Sequence, residues 1–195
     1  MPLIVSFLSL SILSCAMYHH IMLAAERRKY TPPGKRFEVD GHNMHIYGCG
    51  RGSPTVVMTC GSGTPSAYTE YSHILRVLSG RTRACVYERP GYGWSDFTTT
   101  PRDTEQIVCD LHSLLKKSGE EAPYLFVAHS MGAMEALLYA HRYPDEVKGI
   151  VLIDGTSPYK HMKYPKTSIP VIIMHMLKAL NWLGLLRLAG NLGNH

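Results

Sequence analysis

The stretch Tyr124-Leu125-Phe126-Val127-Ala128-His129-Ser130-Met131-Gly132-Ala133 decides how this chain is read. Tyr124 to Ala128 is a short apolar run of strand composition and Met131 to Tyr143 carries helical spacing, so Ser130 falls at the joint between a buried strand and a helix. A turn that sharp tolerates little side-chain volume two residues to either side, and Ala128 and Gly132 both meet that limit. It lifts the serine Oγ clear of the sheet. The helix that begins behind it offers N–H groups without intrahelical partners, and the positive end of its dipole, to a developing negative charge. Serine is also a common helix N-cap, which is the structural alternative for this position. Neighbours around a sharp turn point in different directions, so the ring of His129 is expected to be structural rather than the base for Ser130.

Outward from this joint, short β-branched or aromatic runs alternate with longer amphipathic ones. Toward the N-terminus the pattern predicts a hairpin (Arg36 to Val39, a turn at residues 40–43, Met44 to Gly48), a strand from Thr55 to Cys60 and a helix from Tyr68 to Leu78. A strand from Thr82 to Glu88 and a helix from Thr104 to Lys117 follow, the latter with Ile107, Val108, Leu111, Leu114 and Leu115 on one face. Toward the C-terminus, Val147 to Ile153 reads as one more strand. Strands separated by helices of this length imply right-handed crossovers, hence an α/β fold with a mostly parallel sheet covered by helices on both faces.

Three loops at the carboxyl ends of these strands carry further signals, because ligands bind there in such sheets. Strand, Ala128-His129-Ser130-Met131-Gly132 and helix together resemble the nucleophile elbow of the α/β-hydrolase fold family. Cys60-Gly61-Ser62-Gly63 lies where that family's loop after the third strand carries an oxyanion donor, and Glu88-Arg89-Pro90-Gly91-Tyr92-Gly93-Trp94-Ser95-Asp96 is similar to its D-x-x-G-x-G-x-S turn. The opening from Gly34 to Tyr47 resembles bacterial members preceded by a hydrophobic anchor. The likeness runs from about Gly34 to Pro158 and covers the first six strands of that fold. It departs from the family at Ala128, where the first elbow glycine is usual, and at Cys60, where a histidine is usual; neither change is disabling on steric grounds. The resemblance implies a serine hydrolase that cleaves an ester or amide bond through a covalent acyl-Ser130 intermediate, with the main-chain N–H groups of Ser62 and Met131 holding the oxyanion. The resemblance also implies a small-molecule ester or amide as substrate, with a lipophilic one left open.

Serine of ordinary pKa needs a histidine within hydrogen-bond reach and a carboxylate to orient it, in the chain order Ser, acid, His for this fold. Downstream of Ser130 the carboxylates are Glu135, Asp145, Glu146 and Asp154. Glu135 lies within a helix, and Asp145-Glu146 precede a strand at the far end of the sheet. Only Asp154 emerges on the edge that carries Ser130, so it is the acid candidate, with an Asp-Gly turn as its structural alternative. No base is assigned: His161, His175 and His195 fall in a region that resembles the start of the family's lid. By the family pattern the chain stops about two strands short of the usual acid and base. The competing expectation is therefore a non-catalytic fragment or binding module without a working triad.

The remaining features bound the possibilities. The 195 residues are 45% apolar and carry a formal charge of +5, enough for one packed domain. Lys and Arg occur singly or in short clusters with no base-reading motif, which argues against nucleic acid. Five cysteines without a CxxC pair or zinc spacing read as buried free thiols, and neither metal nor cofactor is expected. Pro2 to Ala25 is free of formal charge and is followed by Glu26-Arg27-Arg28-Lys29, about the ~20 residues a membrane-spanning helix needs. An uncleaved anchor, a cleaved or lipidated signal (Ile12-Leu13-Ser14-Cys15 is similar to a lipoprotein site) and a buried segment all stay open. The expected place is thus membrane-associated or secreted, with orientation unassigned. The expected organisation is 1–30 anchor or signal, 31–158 hydrolase core and 159–195 the start of a lid.

Overall fold

Side chains of a strand alternate between its two faces, and in this computed structural model, which describes residues 2–157, 159 and 171–192, that alternation sorts the core into two layers. The strands are β1 (Lys35–Val39), β2 (His42–Cys49), β3 (Thr55–Thr59), β4 (Ala84–Tyr87), β5 (Tyr124–His129) and β6 (Val147–Ile153). The helices are α1 (Pro2–Lys29), α2 (Ala67–Ser79), α3 (Thr104–Ser118), α4 (Gly132–Arg142), α5 (Val171–Trp182) and α6 (Leu185–Leu192). The sheet order is β1-β2-β4-β3-β5-β6; the hairpin and the β2/β4 pair are antiparallel and the other pairs parallel. Val57, Cys85, Phe126 and Ala128 face α3 and α4, meeting Leu111, Leu114, Ala136 and Tyr139. Val56, Met58, Ala84 and Val86 face α2, meeting Ala67, Tyr71 and Leu75.

The expected α/β class with helices on both faces is present. Differences from the expected boundaries have local causes. α2 begins at Ala67 because Ser66 caps it, accepting from the Thr69 N–H, and α3 stops at Gly119, which adopts the left-handed conformation at φ 75°. β4 is shorter than the run Thr82 to Glu88. Its parallel partner β3 pairs with it only over Val56 to Met58, and Glu88 already serves the following turn.

Cys60 and Cys85 are buried, but Cys15, Cys49 and Cys109 are only half-buried, which corrects the expectation of uniformly buried thiols. Strand Cys85 has neighbours on both sides, whereas Cys109 lies at the rim of α3 beside Arg142. Burial pushes the Cys60 and Cys85 thiols up, so they hold less of the reactive thiolate. Iodoacetamide at pH 8 should therefore modify Cys109 in the native chain well before Cys60 and Cys85, with the difference vanishing in denaturant, as peptide mass mapping would read.

The described residues fall into two compact units, one of residues 32–157 and 159, the other of 2–31 and 171–192. In the second unit, Arg187 donates to both carboxylate oxygens of Glu26 at 2.6 and 2.8 Å, and the Gly184 turn packs directly on α1.

Candidate active site

β5 carries the chain up to His129, and Ser130 turns it back with φ at +49°, a region that costs a non-glycine residue about 1–3 kcal/mol. Three bonds hold that conformation. The Ser130 N–H donates to the Ile153 carbonyl (3.1 Å), and the Ser130 carbonyl accepts from the N–H groups of Ala133 (3.1 Å) and Thr156 (2.9 Å). α4 then starts at once, preceded by Met131 and without a side-chain cap, so Ser130 does not fill the N-cap role that its residue type allowed. Ala128 is fully buried under this turn, its methyl accommodated in the core where the family more often has glycine.

Two close approaches bring the loop after β3 to the same place. A Cβ at Gly61 would lie 3.2 Å from the Ser130 Cβ and 3.1 Å from Nδ1 of His129. A Cβ at Gly132 would lie 2.5 Å from the Thr59 Oγ1 and 2.8 Å from the carbonyl oxygens of Thr59 and Cys60, so only glycine lets the first turn of α4 seat on the end of β3. Thr59 Oγ1 donates to the Gly132 carbonyl across this contact (3.1 Å). Ser62 follows Gly61 and is exposed, while Met131 is half-buried. The two expected oxyanion donors therefore flank the Ser130 turn, one on each neighbouring segment.

A buried brace that the sequence reading missed fixes the spacing of those segments. Arg89, 4% exposed, donates through Nη1 to the Gly61 carbonyl (3.0 Å), through Nη2 to the Cys60 carbonyl (2.6 Å) and through Nε to the Glu135 carboxylate (2.5 Å). Glu135, 1% exposed and one turn into α4, also accepts from the Tyr87 hydroxyl. Although burial works against the Arg89 charge, Glu135 beside it holds the guanidinium above its ordinary pKa. One ion pair thus ties the β3 loop to the helix behind Ser130. The available signal was the helical register: Glu135 sits among the buried positions Gly132, Ala133, Ala136 and Tyr139 of α4. A carboxylate on an apolar face needs a partner.

Glu88 plays a parallel part for the turn that follows β4. It accepts from the Ser66 hydroxyl (2.5 Å) and the Trp94 N–H (2.6 Å), and His45 Nδ1 lies 3.2 Å away. The Ser95 hydroxyl closes the turn by donating to the Glu88 carbonyl and accepting from the His45 N–H.

Asp154 stands one residue beyond β6 and Ser130 one beyond β5, in strands whose register pairs His129 with Ile153, so the two are adjacent on the sheet edge. Asp154 is exposed, with φ at +44°. The histidine–carboxylate pairs among the described residues are His42–Asp110, His45–Glu88, His112–Glu146 and His129–Glu70; none involves Asp154. His129 Nδ1 lies 3.4 Å from Glu70, whose other oxygen accepts from the Thr64 hydroxyl, beside a depression of about 530 Å³ lined by Ser62, Gly63, Thr64, Thr69 and Glu70. His175 lies on α5 in the second unit, and His161 and His195 lie outside the described residues.

Residues 54–171 match the alpha/beta hydrolase fold family. Among curated proteins, YbdG of Bacillus subtilis (strain 168) is 31% identical over 80% of this chain and 48% of its own length. Among solved structures, an epoxide hydrolase from Vigna radiata is 26% identical, covers 73% of this chain with 45% of that one, and has a TM-score of 0.56. A meta-cleavage product hydrolase from Pseudomonas fluorescens IP01, 22% identical over 63% of this chain and 45% of its own, shares the fold at a TM-score of 0.56. The chain spans less than half the length of the curated relatives it matches, from 15% to 48%. Because the matched segment exceeds half of the residues and contains both the loop after β3 and the Ser130 turn, one assignment follows: this chain belongs to the alpha/beta hydrolase fold family.

Proposed function

We propose that this chain carries the nucleophile half of a hydrolase site, in which Ser130 Oγ attacks the carbonyl of a small-molecule ester or amide. The observation that carries the reading is the left-handed Ser130 turn between β5 and α4, held by three backbone bonds, to Ile153, Ala133 and Thr156, with Gly61 packed against it. Attack forms the Oγ–C bond as the Oγ proton passes to a base, and moves the carbonyl π electrons onto oxygen, where the N–H groups of Ser62 and Met131 stabilise the charge. Collapse expels the alcohol or amine, which takes up a proton, and leaves acyl-Ser130. Water then adds to the acyl carbon and releases the acid. Asp154, adjacent to Ser130 on the sheet edge, is the acid candidate for orienting a base that stays unassigned. Solved relatives named as epoxide hydrolases, 26% and 28% identical, support hydrolysis as the reaction class. α1, the one described helix long and apolar enough to cross a membrane, is proposed as the attachment to it.

A second reading, a binding module with an unactivated serine, is favoured by one observation: no described histidine pairs with Asp154. A fluorophosphonate probe separates the two. Labelling of the wild type that disappears in Ser130→Ala supports the nucleophile, whereas a folded wild type as inert as the variant supports the module.

A further inference from the structure

The second unit holds a surface that Ser130 chemistry does not use. α5 exposes Ile172, Ile173, Met176, Leu177 and Trp182, each more than 40% accessible, and α6 exposes Leu186 and Leu188. Solubility alone does not account for so much apolar surface on two short helices. With 12 and 8 residues they are about 18 and 12 Å long, too short for a ~30 Å hydrocarbon core. α1, with 28 residues, is long enough.

Where these helices meet α1 indicates what they face. His20 stacks edge-on with Trp182 at 5.5 Å, a Cβ at Gly184 would lie 2.6 Å from that of His19, and Arg187 is paired with Glu26. The side-chain contacts thus run from His19 to Glu26, both of which Arg187 reaches, with the Gly184 turn also against the Cys15 carbonyl, in the part of α1 where the uncharged run gives way to Glu26-Arg27-Arg28-Lys29. If Glu26 marks the edge of the hydrocarbon, His19 lies about 10 Å below it, the depth to which interfacial helices sink their apolar faces. Charge agrees with a lipid surface as the occupant. Glu26 is the only carboxylate side chain among residues 2–31 and 171–192 and Arg187 neutralises it, which leaves Arg27, Arg28, Lys29 and Lys178 as net positive charge. An exposed tryptophan at the rim is the usual interfacial anchor.

We propose that α5 and α6 form a second membrane contact, lying within the headgroup layer of an anionic leaflet at the basic end of α1. The proposal deepens the reading of α1 as the attachment and is independent of Ser130. The sequence has two tryptophans, so Trp94→Phe leaves Trp182 as the only reporter. The difference between wild type and Trp182→Phe gives the same quantity without touching Trp94. The full chain is reconstituted into phosphatidylcholine–phosphatidylglycerol vesicles with phospholipids brominated near the headgroup or deep in the chain. Trp182 emission should shift to the blue and fall about twofold or more, most with the shallow bromine, while Trp94 is unaffected. Lys178→Glu should weaken the quenching. Trp182 as unquenched as Trp94 overturns the proposal, whether acrylamide then reaches it, meaning a water-exposed helix, or does not, meaning a protein partner such as a second copy. Carbonate extraction of the same vesicles tests α1 separately. A chain that resists extraction with Trp182 unquenched keeps the anchor and loses the interfacial helices; an extractable chain with Trp182 quenched does the reverse.

Discussion

Glu135→Ala is expected to lower the unfolding free energy by about 3–5 kcal/mol, the cost of removing one partner from a buried ion pair. The variant leaves the Arg89 guanidinium buried with the Cys60 and Gly61 carbonyls and the Cys60 sulfur as acceptors but no carboxylate, and it strips the Tyr87 hydroxyl of its acceptor. Urea denaturation followed by circular dichroism would read the loss as a lower midpoint. A second variant isolates the cause. Arg89→Met combined with Glu135→Leu removes both charges and fills the space with apolar atoms, so stability should largely return. Labelling of Ser130 should not return, because the Cys60-Gly61 backbone has lost the group that held it against α4. A double variant no more stable than Glu135→Ala would show that the pair is not what the single change disturbs.

Gly132→Ala is expected to slow fluorophosphonate labelling by about 100-fold while Ser130 itself is untouched. The new methyl would meet the Thr59 side chain at 2.5 Å and two backbone carbonyl oxygens at 2.8 Å. Backbone at the end of a central strand cannot yield as a flexible side chain can, so the first turn of α4 must move away, and with it the Met131 N–H. Alanine favours helix over glycine by about 1 kcal/mol, which offsets part of the ~1–3 kcal/mol cost of overpacking. Reactivity should therefore fall much further than stability. Labelling at the wild-type rate would show that the seat of α4 on β3 does not set the site.

Much of this was legible from residue order alone. The two periodicities separated strands from helices from Lys35 to Ile153, because a strand buried on both faces must be apolar throughout and a covering helix apolar on one side only. The turn at Ser130 was legible from the small residues Ala128 and Gly132, since a steric limit leaves its mark on composition. The brace was not: Arg89 and Glu135 are 46 positions apart, and nothing in either one's surroundings names the other. Glu135 read as an ordinary helical carboxylate; the register of α4 sets it on the apolar face, but only the tertiary structure shows that its partner is Arg89.

The sequence by itself determined the fold class, the strand–serine–helix joint and the apolar, base-flanked run of α1, all of which follow from neighbours within a few residues. Tertiary structure alone decided that Ser130 is not a cap, that Asp154 stands beside it with no histidine among the described residues paired to it, and that Arg187 answers Glu26. These depend on which distant segments share a place. Backbone conformation and amphipathicity are set locally and leave a periodic trace, whereas the pairing of a buried charge is settled only when the chain has closed on itself.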